Sequence, residues 1–133
     1  QEKLGIPNSE APPTLTLAAR KALRDKFLKA DMGISGCNLA CAETGHITTV
    51  SNEGNIRMST TLPKAHVAFM GMERVVADLK ELYTLLKWDT GQKAEGLTHT
   101  MTFITGPSKT ADIEATLVHG AHGPRELVVF VLL

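Results

Sequence analysis

The sequence predicts an α/β domain with a mainly parallel sheet, flanked by helices and extended by a β-hairpin. Three features carry this prediction: two segments of helical periodicity, several short β-branched or apolar runs, and a nearly continuous apolar run from Leu127 to Leu133. Such a run suits a strand buried on both faces of a parallel sheet. The 133 residues fit one domain. We expect it to span residues 14–133, as a segment of a longer protein.

The chain opens with a predicted irregular arm and a helix. Residues 1–13 contain three prolines and are typical of a linker. From Leu15 to Asp31 the apolar side chains recur at helical spacing, which predicts an amphipathic helix. Gly33, two residues later, is suited to ending this helix.

The next forty residues favour β structure. Cys37 to Thr44 is small and apolar, and Ile47 to Val50 is rich in β-branched residues. A turn at residues 52–55 would let Ile56 to Thr61 return antiparallel, so that residues 46–61 form the added hairpin. Ala65 to Met70 is then predicted to be a short buried strand.

The second half begins with another predicted helix, from about Met72 to Trp88, whose valines and leucines form one apolar stripe. His99 to Thr105 alternates weakly and favours a strand. A short helix is expected from Thr110 to Leu117, before the final strand.

Composition argues against several functional classes. The formal net charge is zero, whereas a nucleic-acid-binding domain normally has a basic excess. No apolar run approaches the roughly 20 residues that cross a bilayer, and no signal peptide opens the chain, so we expect a cytoplasmic protein. Cys37 and Cys41 cannot supply four thiolate ligands, which favours a role as small buried residues.

Three polar, glycine-containing loops fall at predicted strand ends, where parallel sheets bind ligands. The first loop is Glu43-Thr44-Gly45. Glu43 could act as a catalytic base or a hydrogen-bond acceptor. Pairing with a local basic group or with backbone amides is an equally good interpretation.

The second loop runs from Gly106 through Ser108, Thr110 and Asp112. If a helix begins here, its free amides and two hydroxyls would make an anion site for a phosphate or a carboxylate. Ordinary capping by Ser108 or Thr110, with Asp112 in the first turn, explains the same residues. The two interpretations are compatible.

The third loop carries His119 and His122 among glycines. These histidines could relay protons or contact a polar ligand. An H-x-x-H pair is a weak indication of metal, and we predict no metal site. Arg57 could clamp a carboxylate bidentately, although an ion-paired surface arginine is the commoner case.

Together these segments resemble the LUD (lactate-utilisation) domain family. Residues 30–45, ADMGISGCNLACAETG, are similar to the family stretch ADxGITGANxAIAETG. Residues 51–67 resemble the family segment TNEGN…TTLPxxHI. Residues 106–114 and 119–124 resemble its ending GPSxTADIE…GVHGP. The resemblance covers about residues 14–133.

The resemblance implies a fold of the NagB/RpiA/CoA-transferase-like group and membership of a bacterial system that oxidises L-lactate to pyruvate. One component of that system carries iron–sulfur motifs, but this chain has no C-x-x-C-x-x-C run. No cofactor is therefore evident in this segment, and an iron–sulfur cluster would belong to a missing region or a partner. The implied partners are other lactate-utilisation subunits, and the resemblance is compatible with an oligomer.

The first hypothesis is thus a subunit for oxidation of lactate or a similar 2-hydroxy acid. Its ligand site would be lined by polar residues of the three loops: Glu43, Ser108, Thr110, Asp112, His119 and His122. The alternative is a non-catalytic module that binds a phosphorylated or CoA-like ligand or a partner subunit. A transferase, by fold analogy alone, is the third hypothesis.

Overall fold

The computed structural model describes residues 12–51, 54–92, 100–113 and 115–133. Its helices are α1 Pro12–Lys29, α2 Asn55–Thr61 and α3 Leu79–Gln92, with a short 3-10 helix at Met72–Arg74. Its strands are β1 Met32–Gly36, β2 Leu39–Cys41, β3 Ile47–Ser51, β4 Ala65–Gly71, β5 Val75–Val76, β6 Thr100–Ile104, β7 Lys109–Ile113, β8 Thr116–His119 and β9 Glu126–Leu132.

A three-stranded parallel sheet has the order β1-β4-β9. In its register Gly33 of β1 lies opposite His66 of β4, which lies opposite Leu127 of β9. This sheet confirms the predicted α/β class with a parallel sheet and helices beside it. The strands predicted at Ala65 to Met70 and Leu127 to Leu133 are confirmed as β4 and β9.

A second sheet has the order β5-β2-β3-β6. Strand β3 pairs antiparallel with β2 and β6, whereas β2 and β5 are parallel. β6 confirms the strand predicted from His99 to Thr105, although it ends one residue earlier, at Ile104, and His99 lies outside the described residues. β7 and β8 form a separate antiparallel hairpin.

The core has two layers of apolar contacts. Ala40 and Ile47 of the second sheet pack against Ala68 and Met70 of the first. On the other face of the second sheet, Cys41 joins a cluster with Val76 and two leucines of α3, Leu82 and Leu86. The second sheet is therefore enclosed between the parallel sheet and α3.

The predicted hairpin at residues 46–61 is wrong, because Asn55–Thr61 is helix α2. The turn before it directs the chain into a helix: Gly54 takes a φ of 73°, and its N–H donates to Ser51 Oγ at 3.2 Å. Asn55 Oδ1 then accepts the N–H of Ile56 at 2.8 Å. Helix α2 packs on β1 through Gly33, a contact that outweighs the β propensity of its Ile and Thr residues.

The predicted helix from Thr110 to Leu117 is also wrong. These residues form the β7–β8 hairpin, in which Thr110 lies opposite Val118 and Ile113 opposite Thr116. The β-branched residues suit strands, and Ala115 takes a φ of 55° that would interrupt a helix. The helix N-terminus on which the anion-site argument depended is therefore not present at Thr110.

The helix predicted from Met72 starts later, at Leu79, because the 3-10 helix and β5 occupy the preceding residues. Helix α1 starts at Pro12, within the predicted arm, whose first eleven residues lie outside the described part of the chain. None of the described helices is both long and apolar enough to cross a membrane.

Strand β9 is not buried on both faces as predicted. It is an edge strand, and the exposed fractions of Val128 and Phe130 are 43% and 48%. Phe130 stacks on Phe69 of β4, with ring centroids 5.1 Å apart. The outer face of the parallel sheet therefore presents apolar side chains to solvent.

Candidate functional site

A pocket of about 470 Å³ opens at the carboxyl end of β1. We call it the β1 pocket. Its polar lining residues come from β1, the β1–β2 turn, β3, α2 and the 3-10 helix: Ser35, Asn38, Thr49, Asn55, Ser59 and Arg74. The carboxyl ends of parallel strands are where ligands bind in open α/β sheets. The location alone makes this pocket the leading candidate site.

Arg74 is brought to the pocket by the 3-10 helix that directly follows β4. Its Nε lies 3.4 Å from Glu73 Oε1, and both side chains are more than half exposed. An exposed ion pair of this kind is weak. The guanidinium can therefore turn towards an anionic ligand at little cost.

Two carboxamides complete the polar lining. Asn38 Oδ1 accepts the N–H of Val50 at 2.9 Å, and Asn55 Oδ1 accepts the N–H of Ile56 at 2.8 Å. The oxygens are thus engaged with backbone, while each NH2 group has two hydrogens to donate. None of the described residues lining the pocket carries a carboxylate. The lining is rich in donors and suits a small anion.

Ser35 connects the pocket to a buried histidine. Its Oγ lies 2.7 Å from His66 Nε2 and donates to the carbonyl oxygen of Gly36 at 2.9 Å. Because a hydroxyl has one hydrogen, Ser35 can donate to Gly36 and accept from His66 only in the tautomer with the imidazole proton on Nε2. His66 is 1% exposed, and its Nδ1 has no hydrogen-bond partner within the described residues.

Burial lowers the pKa of His66 below its ordinary value. The unfolded chain therefore binds a proton at a higher pH than the folded chain does. Stability is full above about pH 6.5, the ordinary pKa, and decreases as the pH falls from there through the lower folded-state pKa. Urea unfolding across this window should show the decrease. The His66→Gln variant cannot titrate at this position, so its free energy of unfolding should decrease less over the same pH range. An equal decrease in the variant and the wild type would contradict the assignment to His66.

Burial raises the pKa of the Cys37 thiol, and hydrogen bonds with the backbone of Thr48 and Leu39, followed by the Arg74 guanidinium, oppose this only in part. The Sγ donates to the carbonyl oxygen of Leu39 at 3.0 Å. Cys37 is thus held as a neutral thiol rather than a nucleophilic thiolate. Together with the burial of Cys41, this supports the interpretation of both cysteines as small packing residues.

The second and third predicted loops meet in the structure. Ser108 donates its N–H to the carbonyl oxygen of Pro124 at 2.7 Å, and its own carbonyl accepts the N–H of Gly120 at 2.9 Å. Its Oγ accepts the N–H of His122 at 3.1 Å. We call these four residues the Ser108 clasp.

The Ser108 clasp and the β1 pocket lie at opposite ends of the parallel sheet. Directly after the clasp, Arg125 donates its N–H to the carbonyl oxygen of Lys64 at 2.8 Å, so the clasp adjoins the starts of β4 and β9. The β1 pocket lies beyond the end of β1. The clasp ties two loops together but does not line this pocket.

The remaining predicted residues are dispersed. Gly106 precedes β7, Thr110 and Asp112 belong to β7, and His119 ends β8; the side chain of Asp112 is outside the described part. Glu43 is exposed in the turn after β2, and its N–H donates to the carbonyl oxygen of Ala77 at 3.1 Å.

Arg57 lies in a second groove, of about 790 Å³, between α1 and α2. Three other cations line this groove: Arg20, Lys21 and Arg24. Arg57 therefore does not line the β1 pocket, although Asn55 and Ser59 of the same helix do, and the predicted residues do not form one site.

Ser35, Thr49 and Arg74 are not among the functional residues that the sequence predicts. Ser35 and Asn38 fall within residues 30–45, where the family resemblance is strongest. That location is the sequence feature that could have indicated a functional role for them. In the helix predicted from Met72 to Trp88, Arg74 would lie on the polar face, away from the apolar stripe. Across the described residues, no group of three or more His, Cys, Asp or Glu side chains is placed to hold a metal ion.

The LUD domain family model matches residues 2–132. The chain is 46% identical over 132 residues to Lactate utilization protein B of Shouchella clausii (strain KSM-K16), covering 96% of this chain and 26% of that protein. It is 44% identical over 115 residues to Uncharacterized electron transport protein YkgF of Escherichia coli (strain K12), covering 85% and 24%. The chain spans about a quarter of the length of these curated relatives.

A crystal structure of a DUF162 family protein from Deinococcus radiodurans has a similar fold. The TM-score is 0.54 at 21% sequence identity, with 80% of this chain and 56% of that chain covered. At this identity the likeness concerns the fold alone.

Proposed function

The chain belongs to the LUD domain family, and from this we propose that it is the LUD domain of a lactate-utilisation protein that takes part in oxidising L-lactate to pyruvate. The support is the 46% identity to a Lactate utilization protein B over nearly the whole chain. In this proposal the domain contributes the binding site for the 2-hydroxy acid.

The observation that carries the proposal is the donor-rich lining of the β1 pocket. Arg74 has the planar fork of donors that binds a carboxylate bidentately. The NH2 groups of Asn38 and Asn55 supply further donors to the same space. A three-carbon hydroxy acid fits within about 470 Å³ and leaves room for a co-reactant.

Oxidation of lactate to pyruvate releases two electrons and two protons. The sequence has two cysteines, Cys37 and Cys41, whereas an iron–sulfur cluster normally takes four thiolates. We therefore propose that iron–sulfur clusters, each of which accepts one electron, lie on another region of a longer protein or on a partner subunit, and that the two protons pass to solvent. The name of YkgF as an electron transport protein fits such an arrangement.

Catalysis by Glu43, His119 or His122 stays a prediction. His122 N–H is held by Ser108, and His119 precedes Gly120 of the same clasp. A small anion bound at the Ser108 clasp would be separate from one in the β1 pocket. Glu43 would need a ligand that reaches the turn after β2.

A second candidate function is binding of a phosphorylated or CoA-like ligand. The groove between α1 and α2 favours it, because Arg20, Lys21, Arg24 and Arg57 surround apolar side chains there. Phosphate groups would contact the cations, and an apolar portion of the ligand would cover the leucines and Met58.

The test is reduction of a tetrazolium dye by the purified protein with L-lactate, alone and with its partner subunits. We expect dye reduction only in the presence of partners, together with saturable calorimetric binding of L-lactate by the protein alone. No dye reduction in either mixture, with saturable binding of a phosphorylated ligand but not of L-lactate, would favour the second candidate.

A further inference from the structure

One buried hydroxyl in the lining of the β1 pocket has no hydrogen-bond partner among the residues that the structure describes. Thr49 is 2% exposed and lines the pocket, yet its Oγ1 bonds to none of the described residues. Its neighbour Thr48 is equally buried, but the Thr48 hydroxyl donates to the carbonyl oxygen of Leu39 at 2.8 Å. Within the described part of the chain, folding pairs one of these two hydroxyls and leaves the other without a partner, although an unpaired buried polar group is costly.

Strand β3 places Thr49 on the side of the β1 pocket. Side chains alternate along β3, so Thr49 shares a face with Ile47, which packs between the two sheets. Ser35 and Arg74 line the pocket reached from that same face. The Thr49 hydroxyl has no hydrogen bond to any described residue. Rotation about χ1 towards a ligand would therefore break no hydrogen bond to those residues.

We propose that Thr49 is the residue that selects a 2-hydroxy acid in the β1 pocket, by pairing its hydroxyl with the hydroxyl on carbon 2 of the ligand. This inference rests on the proposed function, in which Arg74 binds the carboxylate. A hydroxyl both donates and accepts, so the pair satisfies Thr49 as well as the ligand. An acid without the hydroxyl would bind through its carboxylate but leave Thr49 unpaired.

The test is calorimetric binding of two probes, L-lactate and propionate, which differ by that one hydroxyl. We expect the wild-type protein to bind L-lactate about tenfold more tightly than propionate, the effect of one hydrogen bond in a desolvated site. In Thr49→Val the two affinities should become equal through a loss for L-lactate alone. The melting temperature should not fall, because the variant removes an unpaired polar group.

Two control variants distinguish the effect of the Thr49 hydroxyl on acid preference from general effects of substitutions in β3. Thr49→Ser keeps a hydroxyl and should keep the preference. Thr48→Val removes the paired hydroxyl on the other face of β3 and should lower stability while leaving the preference unchanged. Equal binding of both acids by the wild type, or a preference that survives in Thr49→Val, would overturn the inference and leave the proposed function standing. Binding of neither acid would overturn both.

Discussion

Replacing Gly33 by Ala should destabilise the domain by about 3 kcal/mol or more, the upper range for an overpacked core. A Cβ added at Gly33 would lie 1.7 Å from the carbonyl oxygen of Ser59, and 2.8 Å from its carbonyl carbon. Both are backbone atoms of α2, so no side-chain rotation relieves the overlap. The whole helix would have to move away from β1, together with the wall of the pocket that Asn55 and Ser59 form.

Thermal and urea unfolding would measure this effect, and Gly36→Ala is the matched control. Gly36 ends the same strand, and a Cβ added there would meet no atom within 4 Å. We expect the control to change the free energy of unfolding by at most about 0.5 kcal/mol, as for most surface substitutions. Equal stability of the two variants would show that α2 does not approach β1 as closely as described.

Replacing Arg74 by Ala should weaken the binding of L-lactate about 10- to 100-fold, the range for losing a hydrogen-bonded charge partner. The guanidinium is the cation in the described lining of the β1 pocket. Its ion pair with Glu73 is exposed, so its removal should change stability little. Arg74→Lys should lose part of the affinity, because an ammonium cannot bind a carboxylate bidentately.

Arg57→Ala is the control for Arg74, since Arg57 lies in the groove between α1 and α2. Calorimetry should give the same affinity for L-lactate in this variant as in the wild type. The opposite pattern, with affinity lost in Arg57→Ala and kept in Arg74→Ala, would move the carboxylate site to the groove and support the sequence-based proposal of an Arg57 clamp.

The elements predicted well from sequence are those whose pattern extends over many residues. Helices α1 and α3 have repeated apolar positions, and β4 and β9 are apolar runs. The two segments assigned to the wrong type of element, residues 56–61 and 110–117, are short and contain two threonines each. The strand predicted from Cys37 to Thr44 is wrong in its bounds, because β1 is Met32–Gly36 and β2 is Leu39–Cys41. Thr60 and Thr61 suggested a strand, yet α2 forms because Gly33 lets it pack on β1. Tertiary contacts of this kind override local propensity.

The candidate site was only partly predictable, because strand order decides which loops meet. The sequence predicts that three loops lie together at one edge of the sheet. The order β1-β4-β9 instead puts the Ser108 clasp beside the starts of β4 and β9, away from the β1 pocket. Thr49 looked like any β-branched strand residue, since no sequence pattern reveals that a buried hydroxyl has no partner.

The placement of pocket and clasp at opposite ends of the sheet has a consequence for protein engineering. The seven residues of β4 separate these ends by roughly 20 Å. Substitutions that far apart, with no shared partners, change the free energy of unfolding additively to within about 0.5 kcal/mol. Acid preference could therefore be redesigned around Thr49 and Arg74 while stabilising changes near Ser108 are selected independently.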